Sequence, residues 1–104
     1  MSAIAERNIR IPKDDLAVFC ERNHVVRLSL FGSVIREDFR EGSDVDVLVE
    51  FDPQHAPGLL AKAGLRDELT KMLGRQVDLR VPRELSKYVR QRVLDEAEVQ
   101  YVRG

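Results

Sequence analysis

The sequence predicts a small α/β domain with helices packed on a mixed β-sheet. Two patterns lead to that expectation. Val25–Phe31, Ser43–Phe51 and Gln76–Val81 alternate apolar and polar residues with the period of two that a strand requires. Residues 58–73 and 83–97 instead repeat apolar residues at helical spacing. The resulting order of helix, strand, turn, strand, helix, strand, helix is that of one α/β unit. At 104 residues it is expected to be a single domain spanning 1–104, with a core of its own and little room for a second substrate-binding lobe.

After a short lead, Ile11-Pro12-Lys13-Asp14-Asp15 reads as a helix start, because proline is tolerated in the first turn and acidic residues favour the positive end of the helix dipole. Leu16, Phe19 and Cys20 form its buried stripe, and Asn23-His24 ends it. A strand follows over 25–31, with Val26, Leu28 and Leu30 expected on one face. Ser33 to Arg36 forms a short helical turn. The polar loop Glu37–Gly42 then reverses direction at Gly42 and brings Asp44 back toward Ser33.

In the second strand Asp44, Asp46, Leu48 and Glu50 share one face, and Val45, Val47, Val49 and Phe51 share the other. The prolines and glycine of 52–58 mark an exposed loop. The next helix carries Leu60, Leu65, Leu69, Met72 and Leu73 on its apolar stripe, with Gly74 as its C-terminal cap. In the third strand Val77, Leu79 and Val81 face the core, Asp78 faces away, and Pro82 ends the run. A last helix over about 83–97 carries Leu85, Val89 and Val93 at four-residue spacing, and 99–102 adds an edge strand through which the chain could self-associate.

Bulk properties exclude several classes. The chain is 43% hydrophobic and 34% charged, and no run approaches the roughly 18 apolar residues of a membrane span. The first ten residues lack the apolar region of about 7–15 residues of a signal peptide, so a cytoplasmic location without a membrane partner is expected. Cys20 is the single cysteine, which rules out an internal disulfide and a thiolate zinc site; a buried structural thiol is the expected role. A net charge of −1 argues against a protein that coats nucleic acid, and no direct nucleic-acid partner is expected. Between Lys62 and Arg92, however, nine Lys/Arg face four Asp/Glu, which fits either solvated helix faces or a surface for an acidic partner or nucleotide phosphates. His24 and His55 read as ordinary loop residues, and Tyr88 and Tyr101 as packing residues.

The chemistry concentrates in one stretch. Gly32-Ser33 ends an apolar strand, and ten residues later Asp44-Val45-Asp46 places two carboxylates on one strand face. Two such carboxylates, with Asp78 from another strand, suit two divalent ions roughly 4 Å apart for in-line phosphoryl transfer. Magnesium fits an all-oxygen donor set. Gly32 allows backbone to approach phosphate closely, and Ser33 adds a hydroxyl at the start of a helical turn, where free N–H groups favour anions.

Leu30-Phe31-Gly32-Ser33, ten residues, then Asp44-Val45-Asp46 resembles the G-S-x10-D-x-D signature of the nucleotidyltransferase superfamily typified by DNA polymerase beta, and the small size resembles its minimal branch. The resemblance extends over most of the chain. It implies a polymerase beta-like palm fold and magnesium-dependent transfer of AMP from ATP to a hydroxyl, with release of pyrophosphate. It further implies that Asp44, Asp46 and Asp78 act as catalytic and metal-binding residues, that Gly32, Ser33 and Arg36 bind nucleotide, and that Asp78 activates the attacking hydroxyl. Members of this branch commonly pair with a HEPN-domain toxin and silence it as the antitoxin by adenylylating a tyrosine, so such a toxin is the expected partner. The branch usually reads Arg-Ala-Arg-Gly after Gly-Ser, whereas this chain has Val34-Ile35-Arg36-Glu37. Val34 is therefore expected to remove a phosphate contact and Glu37 to add a repelling carboxylate. These departures motivate a second class, a non-catalytic antitoxin or nucleotide-sensing protein acting by occlusion. A third class, an RNA- or antibiotic-modifying transferase, would need an acceptor domain from a partner.

Overall fold

Apolar faces from four strands and three of the four helices meet in one core. The structure, a computed structural model, describes residues 3–104. Its elements are α1 (Ala3–Asn8), α2 (Lys13–Arg22), β1 (Val25–Phe31), β2 (Val45–Phe51), α3 (Leu59–Leu73), β3 (Val77–Arg80), α4 (Lys87–Glu96) and β4 (Glu98–Val102). The strands form one mixed sheet in the order β3-β2-β1-β4, with β2 and β3 parallel and the other two pairs antiparallel. No helix among the described residues is long and apolar enough to cross a membrane.

The alternation in β2 does what period-two patterning requires. Val45, Val47 and Val49 are buried in a cluster with Leu16, Phe19 and Cys20 of α2 and with Leu69 and Leu73 of α3. Gly74 takes a left-handed conformation (φ 72°) and its N–H donates to the Thr70 carbonyl, which closes α3 as expected. The Thr70 hydroxyl in turn accepts from the Val77 N–H at 3.1 Å, tying the helix end to β3. Burial leaves the Cys20 thiol pushed up to about 12, consistent with a structural role.

Five expectations change in the folded chain. A register irregularity between Val25 and Arg27 makes Val25 rather than Val26 the fully buried residue at the start of β1. Leu60 is 88% exposed, because the first turn of α3 runs past the part that meets the core at Leu65, Leu69 and Met72. The last helix begins at Lys87, not near Arg83. Pro82–Glu84 forms a separate 3₁₀ turn, and the Ser86 hydroxyl caps α4 by accepting from the Tyr88 N–H. Tyr88 is 85% exposed and packs on nothing in the core, whereas Tyr101 does pack against it. The lead before Pro12 contains α1, whose Ala5 is buried, as is Ile9 just beyond it.

Candidate active site

The turn after β1 is a 3₁₀ helix over Gly32–Ile35, with Gly32 at φ 73°. A left-handed residue here suits glycine because a side chain is disfavoured in that region. Space makes the requirement stricter: a Cβ on Gly32 would lie 2.1 Å from Oδ2 of Asp46. The cause is the register of the sheet, which sets Phe31 opposite Asp46 and so lays the turn against the carboxylate. Gly32 thus permits the close approach of turn and acid.

Val34 points into the core and is fully buried. Its difference from the usual arginine therefore bears on packing, which corrects the expectation of a missing phosphate contact. Glu37 is exposed. Asn8, at the end of α1, donates from Nδ2 to the carbonyls of Val34 at 2.7 Å and Arg36 at 3.1 Å, and so braces the turn from outside.

Asp46 and Asp78 are register partners on parallel neighbouring strands and project to one face of the sheet. Asp44 stands just before β2 and is exposed. Burial first, then the charges of Asp78 and Asp44, push the Asp46 carboxyl above its ordinary value, while Arg80 and Arg36 pull it down. Four charged groups therefore bear on Asp46. Asp78 directs both oxygens at Arg80, whose Nε donates to Oδ1 at 3.0 Å and Nη2 to Oδ2 at 3.3 Å. That pairing raises the Arg80 guanidinium further above its already high value. Among the described residues no three His, Cys, Asp or Glu side chains are arranged to hold a metal ion as they stand.

The loop that delivers Asp44 is clamped by a residue not singled out from the sequence. Arg75, just beyond α3, donates from Nη2 to the carbonyls of Arg40 at 2.7 Å and Ser43 at 2.8 Å, and its guanidinium lies 4.5 Å from the centre of the Phe39 ring. The Ser43 hydroxyl accepts from the Arg40 N–H, and the Val45 N–H donates to the Gln76 carbonyl. Asn8 and Arg75 left no local signal, since each acts on a segment that only the fold brings near. For Arg80, its i+2 spacing from Asp78 on a predicted strand was the one available clue.

Gly32 and Arg36 also line a cleft of about 240 Å³ with Phe31 and, from α4, Val89 and Arg92. A larger cleft of about 320 Å³ lies at the other end of β2, among Phe51, Pro57 and Val81, away from the carboxylates. The first is the one that Gly32 and Arg36 line, and none of Asp44, Asp46 and Asp78 lines either.

Comparison with known proteins agrees with this geometry. The family description for the nucleotidyltransferase domain matches residues 16–99. A protein of Methanocaldococcus jannaschii, provisionally named a protein adenylyltransferase, is 34% identical over 90 residues, covering 86% of this chain and 95% of that protein. The protein adenylyltransferase MntA of Thermococcus cleftensis is 39% identical over 76 residues, covering 73% of this chain and 75% of its own. A solved structure provisionally described as a minimal nucleotidyltransferase superposes with a TM-score of 0.68 at 39% identity, covering 82% and 85% of the two chains. A toxin–antitoxin crystal structure with AMP-PNP gives 0.72 at 21% identity, covering 89% and 75%, a likeness of fold.

Proposed function

The chain belongs to the nucleotidyltransferase domain family, and from that premise we propose that it transfers AMP from ATP to a hydroxyl of a partner protein, acting as the antitoxin of a toxin–antitoxin pair. The observation that carries this reading is the apposition of Gly32 and Asp46, with Asp78 in register beside them. It joins the glycine turn to a set of acids in one place. The names of the relatives support protein as the acceptor class, and the toxin–antitoxin structure with AMP-PNP supports ATP as the donor and a toxin as the partner.

The donor set suits magnesium. Asp44, Asp46 and Asp78 offer only oxygen donors, and burial first, then the charges of Asp78 and Asp44, disfavours a bare carboxylate at Asp46. Bound there, divalent ions would supply Lewis-acid polarisation of the phosphates and neutralise developing charge. The chain's own groups do the rest. Gly32 and Ser33 receive the outer phosphates, and Arg36, on the same turn, adds a cation beside them. Asp78 accepts the proton of the attacking hydroxyl, whose oxygen bonds to the α-phosphorus as the bond to the β-phosphate oxygen breaks and pyrophosphate leaves. A tyrosine of a HEPN-domain toxin is the acceptor this reading favours, in a cytoplasmic setting.

Incubation with α-labelled ATP, magnesium and the toxin encoded beside this chain tests the proposal. Label should pass to the toxin with the wild-type chain and not with Asp44→Asn/Asp46→Asn. Absence of transfer with intact complex formation would instead favour neutralisation by occlusion, and equal transfer by the double variant would remove the carboxylates from the chemistry.

A further inference from the structure

Asp78 is already engaged in the chain by itself. Both its oxygens accept from the Arg80 guanidinium, in the two-point geometry that matches a planar fork to a carboxylate. The contact follows from local structure: Asp78 and Arg80 are two residues apart on β3, so they project to one face, and the register places them opposite Asp46 and Leu48 of β2. Arg80 is thus a cation built into the acidic face of the sheet. Both partners are partly exposed, at 46% and 38% of their side-chain surfaces, so the pair can exchange.

A guanidinium and a divalent ion on the same carboxylate repel each other, and each draws on the same oxygen lone pairs. We propose that Arg80 is the resident counter-ion of Asp78, occupying it in place of a divalent cation and withholding it from the metal cluster until nucleotide phosphates offer Arg80 another anion. The inference rests on reading Asp44, Asp46 and Asp78 as the metal-holding group. Its consequence is that free metal is held weakly at Asp78 and that metal and nucleotide bind with positive coupling.

Manganese binding, followed by the electron paramagnetic resonance of the free ion without nucleotide, tests this directly. Arg80→Gln should bind manganese about three- to fivefold tighter than wild type, the range an exposed pair can shift. Arg80→Lys, which keeps the charge but not the fork, should fall between, and it carries the test if Arg80→Gln does not fold. The gain should shrink when Asp78 is already Asn, and also with a saturating non-hydrolysable ATP analogue. Unchanged or weaker binding in Arg80→Gln overturns the proposal. So does an undiminished gain in the Asp78→Asn background, which would reduce Arg80 to a general field. If Asp44→Asn/Asp46→Asn binds manganese as tightly as wild type, the metal reading itself fails, an outcome distinct from failure of the role given to Arg80.

Discussion

Gly32 and Asp46 meet so closely that the position a Cβ would take on the first lies 2.1 Å from a carboxylate oxygen of the second. Gly32→Ala must therefore displace the Asp46 side chain and also hold a left-handed backbone at φ 73°. We expect a stability loss of about 1–3 kcal/mol by denaturant titration and near-complete loss of label transfer. Combining it with Asp46→Ala should recover part of the stability and none of the transfer. Additive stability losses in the pair would show that the clash is relieved elsewhere.

Asp46→Asn should separate stability from activity. Burial and the neighbouring acids raise its carboxyl in the folded chain, so the favourable contribution of the protonated form is complete below the unfolded value and is lost as pH rises through the folded one. Without divalent ions at neutral pH the Asn variant should melt above wild type while losing transfer. The gap should close as pH is lowered through the carboxylate range, and thermal melts across that range provide the check.

Arg75→Ala frees the segment that delivers Asp44, since the carbonyls of Arg40 and Ser43 lose their shared donor and Phe39 its cation. The expected cost is about 1–2 kcal/mol, with faster amide exchange over residues 37–43 and at least a tenfold fall in transfer. Lysine should recover little, because it lacks the planar face that stacks on Phe39. Exchange unchanged over the segment would refute the clamp.

Cys20 should be inert to a disulfide-exchange reagent in the native chain at pH 8 and react once the chain is unfolded. Its thiol is pushed up to about 12 by burial and the nearby Glu21 charge, from an ordinary value of 9.0. The sign follows: above the unfolded value the unfolded chain releases its proton first, so this group's contribution to stability declines as pH rises toward the folded value. Rapid native labelling would mean that the thiol is reached through local opening.

The elements whose patterning is local were legible. Three strands, the helix ended by Gly74 and the edge strand at the C-terminal end were all readable, because alternation, helical spacing and a cap each lie within a few residues. Several of the expectations that failed turned on how distant segments pack. Val26 yields to Val25 through an irregularity in pairing with β2, Leu60 is stranded beyond the core, and α1 acquires its role from packing beside the turn it braces.

The candidate site divides along the same line. Gly32, Ser33, Asp44 and Asp46 could be read from the chain because a turn followed by same-face acids is a short-range pattern, with a chemistry few other uses would require. Distance in sequence hides the rest. Asn8 reaches the turn across 26 residues and Arg75 reaches the Asp44 loop across 32. Val34 proves inward-facing only once the sheet forms, and Arg80 becomes the counter-ion of a cluster only when β3 lies beside β2. Side-chain type and spacing dictate which groups can do the chemistry. Which cation answers which carboxylate depends on strand order and register, because electrostatic and hydrogen-bond partners are set by proximity in space.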